Sequence, residues 1–326
     1  MTDESFQGKH IGKIVVSIDG EDIKAIATNP QKKVAFKSDA SYLLAGGLGG
    51  LGKVVSTWMV EQGARSLVYL APGAGKSLQD QGFLEELRSQ GCSATAIEGS
   101  VSLLSNVERA IAAAPFPIKG VLNMCMVLRD QGFSAMTHDE WTACVEPKVQ
   151  GTWILHQAFE KTNLDFFGMF SSISGIIGQR GQANYASANT FLDAFVQYRK
   201  QLGLPACAVD VGAMLDHGYV AENSRLRDRM QGQGWYGIRV PELLDALSAA
   251  ILSSNNSLPL LSHNNLFELP SRDLSFSNPS QLIIGKRSLT ALDDPANRVI
   301  WKTDRRMSIY HHTSSSSSTT NRRCHG

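Results

Sequence analysis

Residues 41–52, SYLLAGGLGGLG, decide the fold of this chain. A short apolar run ends in a cluster of glycines, and over residues 51–63 apolar side chains recur at helical spacing until another glycine closes the pattern. A strand that passes through a glycine turn into a helix presents backbone N–H groups at the helix N-terminus, where they can bind a pyrophosphate. The segment therefore predicts a strand–turn–helix unit that binds a dinucleotide.

The glycines of this turn fit two overlapping spacings. Gly47, Gly49 and Gly52 form the pattern GxGxxG, whereas Gly46, Gly50 and Gly52 form the pattern GxxxGxG. The first is the general dinucleotide-binding pattern, and the second is typical of short-chain dehydrogenases/reductases. Since the two overlap, the turn alone does not choose between them, and all five glycines are candidate cofactor-binding residues.

Strand-like and helix-like segments alternate after the turn, in six successive strand–helix steps. This order predicts an α/β fold, a doubly wound parallel sheet of Rossmann type with helices on both faces. One long helix is expected over residues 138–161, with Pro147 inside it, and a last strand near residues 281–285. Residues 213–235 break the rhythm and are expected to form a mobile segment that covers the site.

Three regions are expected along the chain. Residues 1–40 form a short β lead-in, with a strand over 11–18. Residues 41–290 form the dinucleotide-binding domain. Residues 291–326 form a linker and a disordered tail, because the serine run at 314–318 and its neighbours offer little apolar area to bury.

Composition argues against several classes of protein. Of the 326 residues, 43% are hydrophobic, and 31 Lys and Arg residues balance 30 Asp and Glu residues, so neither a disordered chain nor a nucleic-acid-binding protein is expected. No apolar run approaches the ~18 residues of a membrane span. The five cysteines form no CxxC, the histidines form no HExxH, and MTDESFQGKH does not resemble a signal peptide. A cytoplasmic protein without disulfide bonds or a metal site is expected.

Four polar residues form a candidate catalytic set. Tyr185 and Asn189 are four residues apart, on one face of a predicted helix. Ser172 ends a predicted strand thirteen residues before Tyr185, and ligands bind at the carboxyl ends of parallel strands. Taken singly, Ser172 is an ordinary turn residue, Tyr185 an amphipathic-helix residue and Lys148 a solvated charge. Downstream of a dinucleotide-binding turn, the set together indicates catalysis.

These residues resemble the catalytic set of the short-chain dehydrogenases/reductases. In that family a tyrosine donates a proton, a serine holds the carbonyl oxygen and a lysine supplies positive charge. The usual member has lysine at the position of Asn189, whereas here Lys148, in EPKVQGTW, offers the lysine. This exchange is characteristic of polyketide synthase ketoreductase domains. The phrases GLGGLG, FSSISGIIGQRGQANYASANTFLDAF and LDHGYVAEN are similar to the ketoreductase of fungal-type highly reducing polyketide synthases.

The resemblance implies that the chain reduces a β-keto thioester to a β-hydroxy thioester with NADPH. Tyr185 would be the proton donor, and Ser172 would hold the carbonyl oxygen. Lys148 would contact Tyr185 and the nicotinamide ribose and lower the pKa of Tyr185. Asn189 would help to hold Lys148 or a water molecule.

The resemblance also implies partners. It covers about residues 41–285, and residues 8–16 are similar to the tail of an enoyl reductase. The expected partner is an acyl carrier domain or a polyketide synthase that bears the β-keto substrate, and self-association is expected of a domain that normally packs against neighbours. Two other functions remain open: a non-catalytic or truncated remnant of a polyketide synthase, and a stand-alone short-chain dehydrogenase that acts on small free ketones.

The second strand departs from the family pattern. Ketoreductases of this group usually carry Ser-Arg there, and the arginine meets the 2′-phosphate of NADPH, whereas this chain has Ala71 and Pro72. Lys76 and Arg65 are the candidate substitutes, although lysine is only a point charge on a flexible stem. NADPH remains the expected cofactor, with NADH as the alternative.

Overall fold

The computed structural model describes residues 14–19, 22–27, 34–232, 236–255, 280–286, 294–295 and 297–303. The chain divides into two compact units, Met1–Ala35 and Phe36–Gly326. In the first unit, strands β1 (Ile14–Asp19) and β2 (Asp22–Ala27) pair as an antiparallel hairpin, with Ile14 opposite Ala27. The predicted tail from residue 304 onward lies outside the described residues.

The second unit is built around a parallel sheet of seven strands, in the order β11-β8-β7-β6-β3-β4-β5. The chain runs outward from β3 to one edge, returns to β6 and runs to the other edge, which is the doubly wound arrangement predicted from the sequence. The strands are β3 (Ser41–Ala45), β4 (Ser66–Ala71), β5 (Ser93–Glu98), β6 (Ile118–Asn123), β7 (Phe166–Ser172), β8 (Cys207–Val211) and β11 (Gln281–Ile283). A separate parallel pair joins β9 (Ala213–Met214) to β10 (Gly237–Ile238).

Helices connect the strands as crossovers. They are α1 (Gly50–Glu61), α2 (Leu78–Ser89), α3 (Leu104–Ala112), α4 (His138–Val145), α5 (Val149–Phe159), α6 (Ile173–Ile177), α7 (Ala183–Gln201), α8 (Tyr219–Glu222), α9 (Ser224–Gly232) and α10 (Val240–Ser253). Short 3-10 turns occupy Phe133–Ala135 and Ile300–Thr303. None of the helices in the described ranges is long and apolar enough to cross a membrane.

The single long helix expected over residues 138–161 is wrong. The structure has two helices, α4 and α5, separated by a turn at residues 146–148. Pro147 explains the break, because proline has no N–H to donate and its ring collides with the preceding turn of a helix. The break places Lys148 at the start of α5 rather than in a helix interior.

The core lies on both faces of the central strands. Every residue of β3, β7 and β8 is buried, as expected for parallel strands covered by helices on both sides. Leu43, Val121 and Phe167 of neighbouring strands pack in one cluster with Phe195 of α7. This packing fixes the carboxyl ends of the strands, where the candidate site lies.

Candidate active site

The glycine turn joins β3 to α1 and closely approaches the neighbouring backbone. Gly46 has φ +75°, a conformation that L side chains rarely adopt, and a Cβ there would lie 2.9 Å from the Cys125 nitrogen. Gly49 precedes the first residue of α1, whose first turn carries no acidic side chain. The first turn of α1 itself therefore contributes no negative charge, which suits an anion, although Glu222 of α8 lies close to Gly50.

The predicted glycines divide into two groups. Four of them line one cavity of about 940 Å³: Gly46, Gly49, Gly50 and Gly52. Gly47 does not line the cavity, and a Cβ at this position would face Leu44, 2.6 Å from the Leu44 Cβ. The spacing of Gly46, Gly50 and Gly52 therefore describes the cavity wall better than the GxGxxG spacing does.

Lys148, Ser172 and Tyr185 line the same cavity, at the carboxyl ends of the strands. Asn189 does not line it. The structure thus brings three of the four predicted catalytic residues into the cavity that the glycine turn also lines. Ligand sites in doubly wound sheets form in this position.

Ser172 is the last residue of β7 and caps the short helix α6. Its Oγ accepts a hydrogen bond from the Ser174 N–H at 3.2 Å. Its own proton faces the Val211 carbonyl at 3.5 Å, which is long for an O–H···O hydrogen bond, and the Tyr185 hydroxyl. The hydroxyl proton is therefore available to a ligand in the cavity.

Tyr185 lies in the first turn of α7 and is 8% exposed. Burial raises the pKa of its phenol to about 12, and hydrogen bonding with Ser172 and Asn189 opposes part of this rise. The sequence-based expectation that Lys148 lowers the pKa of Tyr185 below its ordinary value is wrong, because burial of the phenol dominates. Tyr185 therefore keeps its proton at neutral pH.

Lys148 is 2% exposed, and its Nζ donates a hydrogen bond of 2.6 Å to the Phe170 carbonyl. The same Nζ lies 5.5 Å from the centre of the Tyr185 ring. Burial lowers the pKa of Lys148 to about 8. Asn123, at the end of β6, donates to the Pro147 carbonyl at 3.3 Å and so ties down the turn that carries Lys148.

Asn189 lies one turn after Tyr185 in α7, as the spacing predicts. Its Nδ2 donates to the Tyr185 carbonyl at 2.7 Å, which fixes the helix turn that carries the tyrosine. Its Oδ1 is buried and accepts no hydrogen bond within the described part of the chain. Asn189 therefore acts on the site through the helix turn that carries Tyr185.

The wall that follows β4 carries Ala71 and Pro72. Neither of the two candidate substitutes for the missing arginine lines the cavity. Lys76 pairs with Glu98, and Arg65 donates to the backbone carbonyls of Val60 and Ala64. Besides Lys148, the basic side chains that line the cavity within the described ranges are Arg180, His217 and Arg225.

The sequence analysis missed a polar cluster that joins β7, β8, β11 and α7. Ser171 donates to Asp193 at 2.7 Å, and Gln281 donates to Asp210 at 2.8 Å. The signal was present only as isolated polar residues in otherwise apolar segments, because the four come from different parts of the chain.

The sheet order and the glycine turn after the first sheet strand define a Rossmann-type oxidoreductase with the architecture of the short-chain dehydrogenases/reductases. The chain belongs to the KR domain family, whose profile matches residues 40–216. KR domains are NAD(P)H-dependent reductases, and this membership confirms the resemblance drawn from the sequence.

Similar proteins place this family in a narrower context. The highly reducing polyketide synthase sphB of Aspergillus fumigatus is 45% identical over 311 residues, which are 94% of this chain and 12% of that protein. The highly reducing polyketide synthase gloL of Glarea lozoyensis is 48% identical over 306 residues, 93% of this chain and 11% of that protein. The chain therefore spans a small part of the length of these relatives.

Solved structures agree with the fold. A-type ketoreductases from a modular polyketide synthase superpose with a TM-score of 0.66 at 26% identity, covering 74% of this chain and 52% of that chain. A ketoreductase from the first module of phoslactomycin biosynthesis in Streptomyces superposes with a TM-score of 0.63 at 29% identity, covering 70% of this chain and 53% of that chain. Both are ketoreductases of polyketide synthases.

Proposed function

We propose that residues 41–290 reduce a β-keto thioester to a β-hydroxy thioester with NADPH. The observation that carries this proposal is the placement of Lys148, Ser172 and Tyr185 on one cavity wall with the glycine turn. Reduction of a ketone needs a bound hydride donor, a proton donor and a group that stabilises the developing alkoxide. The cavity presents residue types suited to the last two roles, next to a turn suited to the first.

The glycine turn fits a dinucleotide. Gly46 allows the backbone to pass close to Cys125, and the first turn of α1 has no side-chain cap and no acidic residue of its own, so its amides are available to a phosphate. The residues proposed to hold the cofactor are Gly46, Gly49, Gly50, Gly52, Lys148 and Tyr185, whereas Gly47 shapes the turn without lining the cavity. The cofactor supplies the hydride, while the protein supplies orientation and charge.

Tyr185 is the proposed proton donor. Its raised pKa keeps the phenol protonated at neutral pH, which is the state that reduction requires. Ser172 donates its hydroxyl proton to the substrate oxygen, since its internal acceptor is 3.5 Å away. The two hydroxyls together form the donor pair for the developing alkoxide.

Lys148 is the proposed source of positive charge. The ammonium lies beside the Tyr185 ring, where it stabilises the negative charge left on the phenol oxygen after proton transfer. Asn189 holds the Tyr185 turn and offers its Oδ1 to Lys148 or to a water molecule. The proposed partner is an acyl carrier domain or a polyketide synthase that presents the thioester.

The test is NADPH oxidation by the purified chain with an N-acetylcysteamine β-keto thioester, compared with a simple free ketone. We expect the thioester to be reduced, and Tyr185→Phe to lower kcat by ~10²-fold or more because the proton donor is lost. Tyr198→Phe is the matched control, since Tyr198 lies on the same helix and packs against Trp153 rather than lining the cavity.

The outcomes separate the alternatives. Near-full activity of Tyr185→Phe would refute the assigned proton donor. Reduction of free ketones without reduction of the thioester would favour a stand-alone dehydrogenase. A folded chain that binds NADPH but reduces neither compound would indicate a non-catalytic remnant.

A further inference from the structure

Two carboxyl groups lie buried behind the candidate site and have no role in the proposed reaction. Asp193 lies in α7, one turn after Asn189, and Asp210 lies in β8, which pairs with β7. Asp193 is 8% exposed and Asp210 is fully buried. Neither forms an ion pair within the ranges that the structure describes. Two unpaired carboxylates are costly at this depth, so the pair favours a state in which one holds a proton.

The hydrogen bonds around the pair leave one position for that proton. Ser171 Oγ donates to Asp193 Oδ1 at 2.7 Å, and Gln281 Nε2 donates to Asp210 Oδ2 at 2.8 Å. Asp210 Oδ1 is buried and receives no hydrogen bond within the described part of the chain, and the proton of the nearby Ser171 hydroxyl is already donated to Asp193. Ser171, which donates to Asp193, lies opposite Asp210 in the pairing of β7 with β8, so both carboxyls lie beside the same serine. A protonated Asp193 therefore supplies the donor that Asp210 Oδ1 lacks.

The pair also faces a buried ammonium. The titratable groups that act on Lys148 are Cys125, Cys144, Asp193 and Asp210. Burial raises the pKa of Cys125 to about 12 and that of Cys144 to about 11, so both thiols are neutral at physiological pH. Among these groups, only the carboxyl pair can carry negative charge there.

The direction of each pKa shift agrees with this arrangement. Burial, and then repulsion from Asp210, raises the pKa of Asp193 to about 8. Burial also raises the pKa of Asp210, and its hydrogen bonds with Gln281, Ser171 and Asp193 oppose the rise. Desolvation lowers the pKa of Lys148, whereas both carboxyl charges raise it. The pair is therefore a counter-charge that acts on Lys148 without contacting it.

We propose that Asp193 and Asp210 are positioning residues that share one proton, leaving a single buried negative charge that keeps Lys148 protonated. Ser171 is the neighbour of Ser172 at the end of β7. Its hydrogen bond to Asp193 therefore also fixes the position of this strand end. The charge and its hydrogen bonds are properties of the fold. Only their effect on turnover rests on the proposed function.

Asparagine substitutions allow the shared proton and the negative charge of the Asp193–Asp210 pair to be tested independently. In Asp193→Asn, the amide donates where the acid did, and Asp210 keeps the negative charge. In Asp210→Asn, Asp193 becomes the carboxylate, with the new amide as donor. Each single variant thus loses the shared proton and keeps the charge, whereas the double variant Asp193→Asn/Asp210→Asn loses both.

The first experiment is infrared spectroscopy of the full chain without ligands at neutral pH. We expect a carbonyl stretch from a buried protonated carboxyl group in the wild type and its loss in both single variants. Absence of this band in the wild type, or its survival in Asp210→Asn, would overturn the shared proton. This measurement does not depend on catalysis.

The second experiment follows the Lys148 ammonium by NMR of isotopically labelled lysine, with the signal assigned through Lys148→Met. We expect the pKa of Lys148 to fall on the order of one unit in the double variant and to stay near the wild-type value in each single variant. An unmoved pKa in a folded double variant would overturn the electrostatic role. If the double variant does not fold, a fall of similar size in either single variant has the same consequence.

The third measurement is the pH profile of kcat/KM. Since the reaction uses the Lys148 ammonium, the alkaline limb should move to lower pH in the double variant and stay in place in the single variants. A limb that stays in place in a folded, active double variant would argue against the role in turnover. If the wild type reduces no β-keto thioester, the proposed function fails while the infrared and NMR results still decide the inference.

Discussion

Lys148→Met is expected to stabilise the fold at pH 7 and to lose part of this advantage as the pH rises. Lys148 is 2% exposed and forms no ion pair among the described residues. Removing the ammonium from water is unfavourable, so the burial of Lys148 lowers the free energy of unfolding. Methionine fills a similar volume without that cost, although it leaves the Phe170 carbonyl without its 2.6 Å donor.

The pKa of Lys148 gives the magnitude. Burial lowers this pKa from 10.5 to about 8, which corresponds to about 3 kcal/mol of unfavourable free energy while the lysine is charged. Between these two values the unfolded chain binds more protons than the folded chain, so wild-type stability rises with pH in that window. By about pH 9.5 roughly 2 kcal/mol of the cost has been removed.

The measurement is the free energy of unfolding in urea for wild type and Lys148→Met, at pH 7 and at about pH 9.5. The other titrating groups are common to both proteins, so their contributions cancel in the difference. We expect the stability of Lys148→Met relative to wild type to fall by about 2 kcal/mol between the two pH values. Lys161→Met is the control for the loss of an exposed lysine.

A difference that does not change with pH would refute the reasoning. It would mean that Lys148 is hydrated in the folded state, and the assigned role of a desolvated ammonium beside Tyr185 would fail with it. A relative stability of Lys148→Met that rises with pH would refute the sign of the pKa shift as well.

Three further predictions test the cofactor site and its surroundings. Gly46→Ala should lower the free energy of unfolding in urea by about 1–3 kcal/mol, because Gly46 has positive φ and a Cβ would press on the Cys125 backbone. An unchanged stability would contradict the requirement for glycine at this turn. Pro72→Arg should widen the preference for NADPH over NADH in fluorescence titrations, whereas equal wild-type affinities for the two would contradict the choice of NADPH. Limited proteolysis should cut residues 213–235 early, and more slowly with cofactor and substrate; protection that ligands do not change would argue against a cover.

Most of the sheet could be predicted because its signals are local. The apolar runs of β3, β4 and β6 and the glycine turn lie in short stretches of sequence, and parallel strands buried on both faces are apolar throughout. The break between α4 and α5 was missed although its cause, Pro147, was in view. The apolar spacing continues on both sides of the proline, and periodicity does not detect the missing N–H.

The sequence could predict which residues come together in the candidate site, but not the pKa shifts of these residues. The spacing of Ser172 and Tyr185 places them at the end of β7 and the start of α7, and the structure brings both to one cavity. The direction of the Tyr185 pKa shift was wrong because it depends on burial. The burial of a side chain depends on neighbours from distant parts of the chain, and the spacing of residues within one helix gives no information about them.

Asn189 stands where short-chain dehydrogenases/reductases usually have a lysine, so an element other than α7 has to supply the positive charge near Tyr185. Asn189 is neutral, and its Nδ2 is already committed to the Tyr185 carbonyl, so α7 brings no positive charge to Tyr185. The turn at Pro147 supplies it instead, because the break in the helix lets Lys148 reach the end of β7 and bind the Phe170 carbonyl. A charge brought in this way is buried, and the ammonium, whose pKa is about 8, is mostly protonated at pH 7 but loses its proton if its pKa falls further. The charges of Asp193 in α7 and Asp210 in β8 raise the pKa of Lys148 and so oppose that loss, which is the role proposed for the pair.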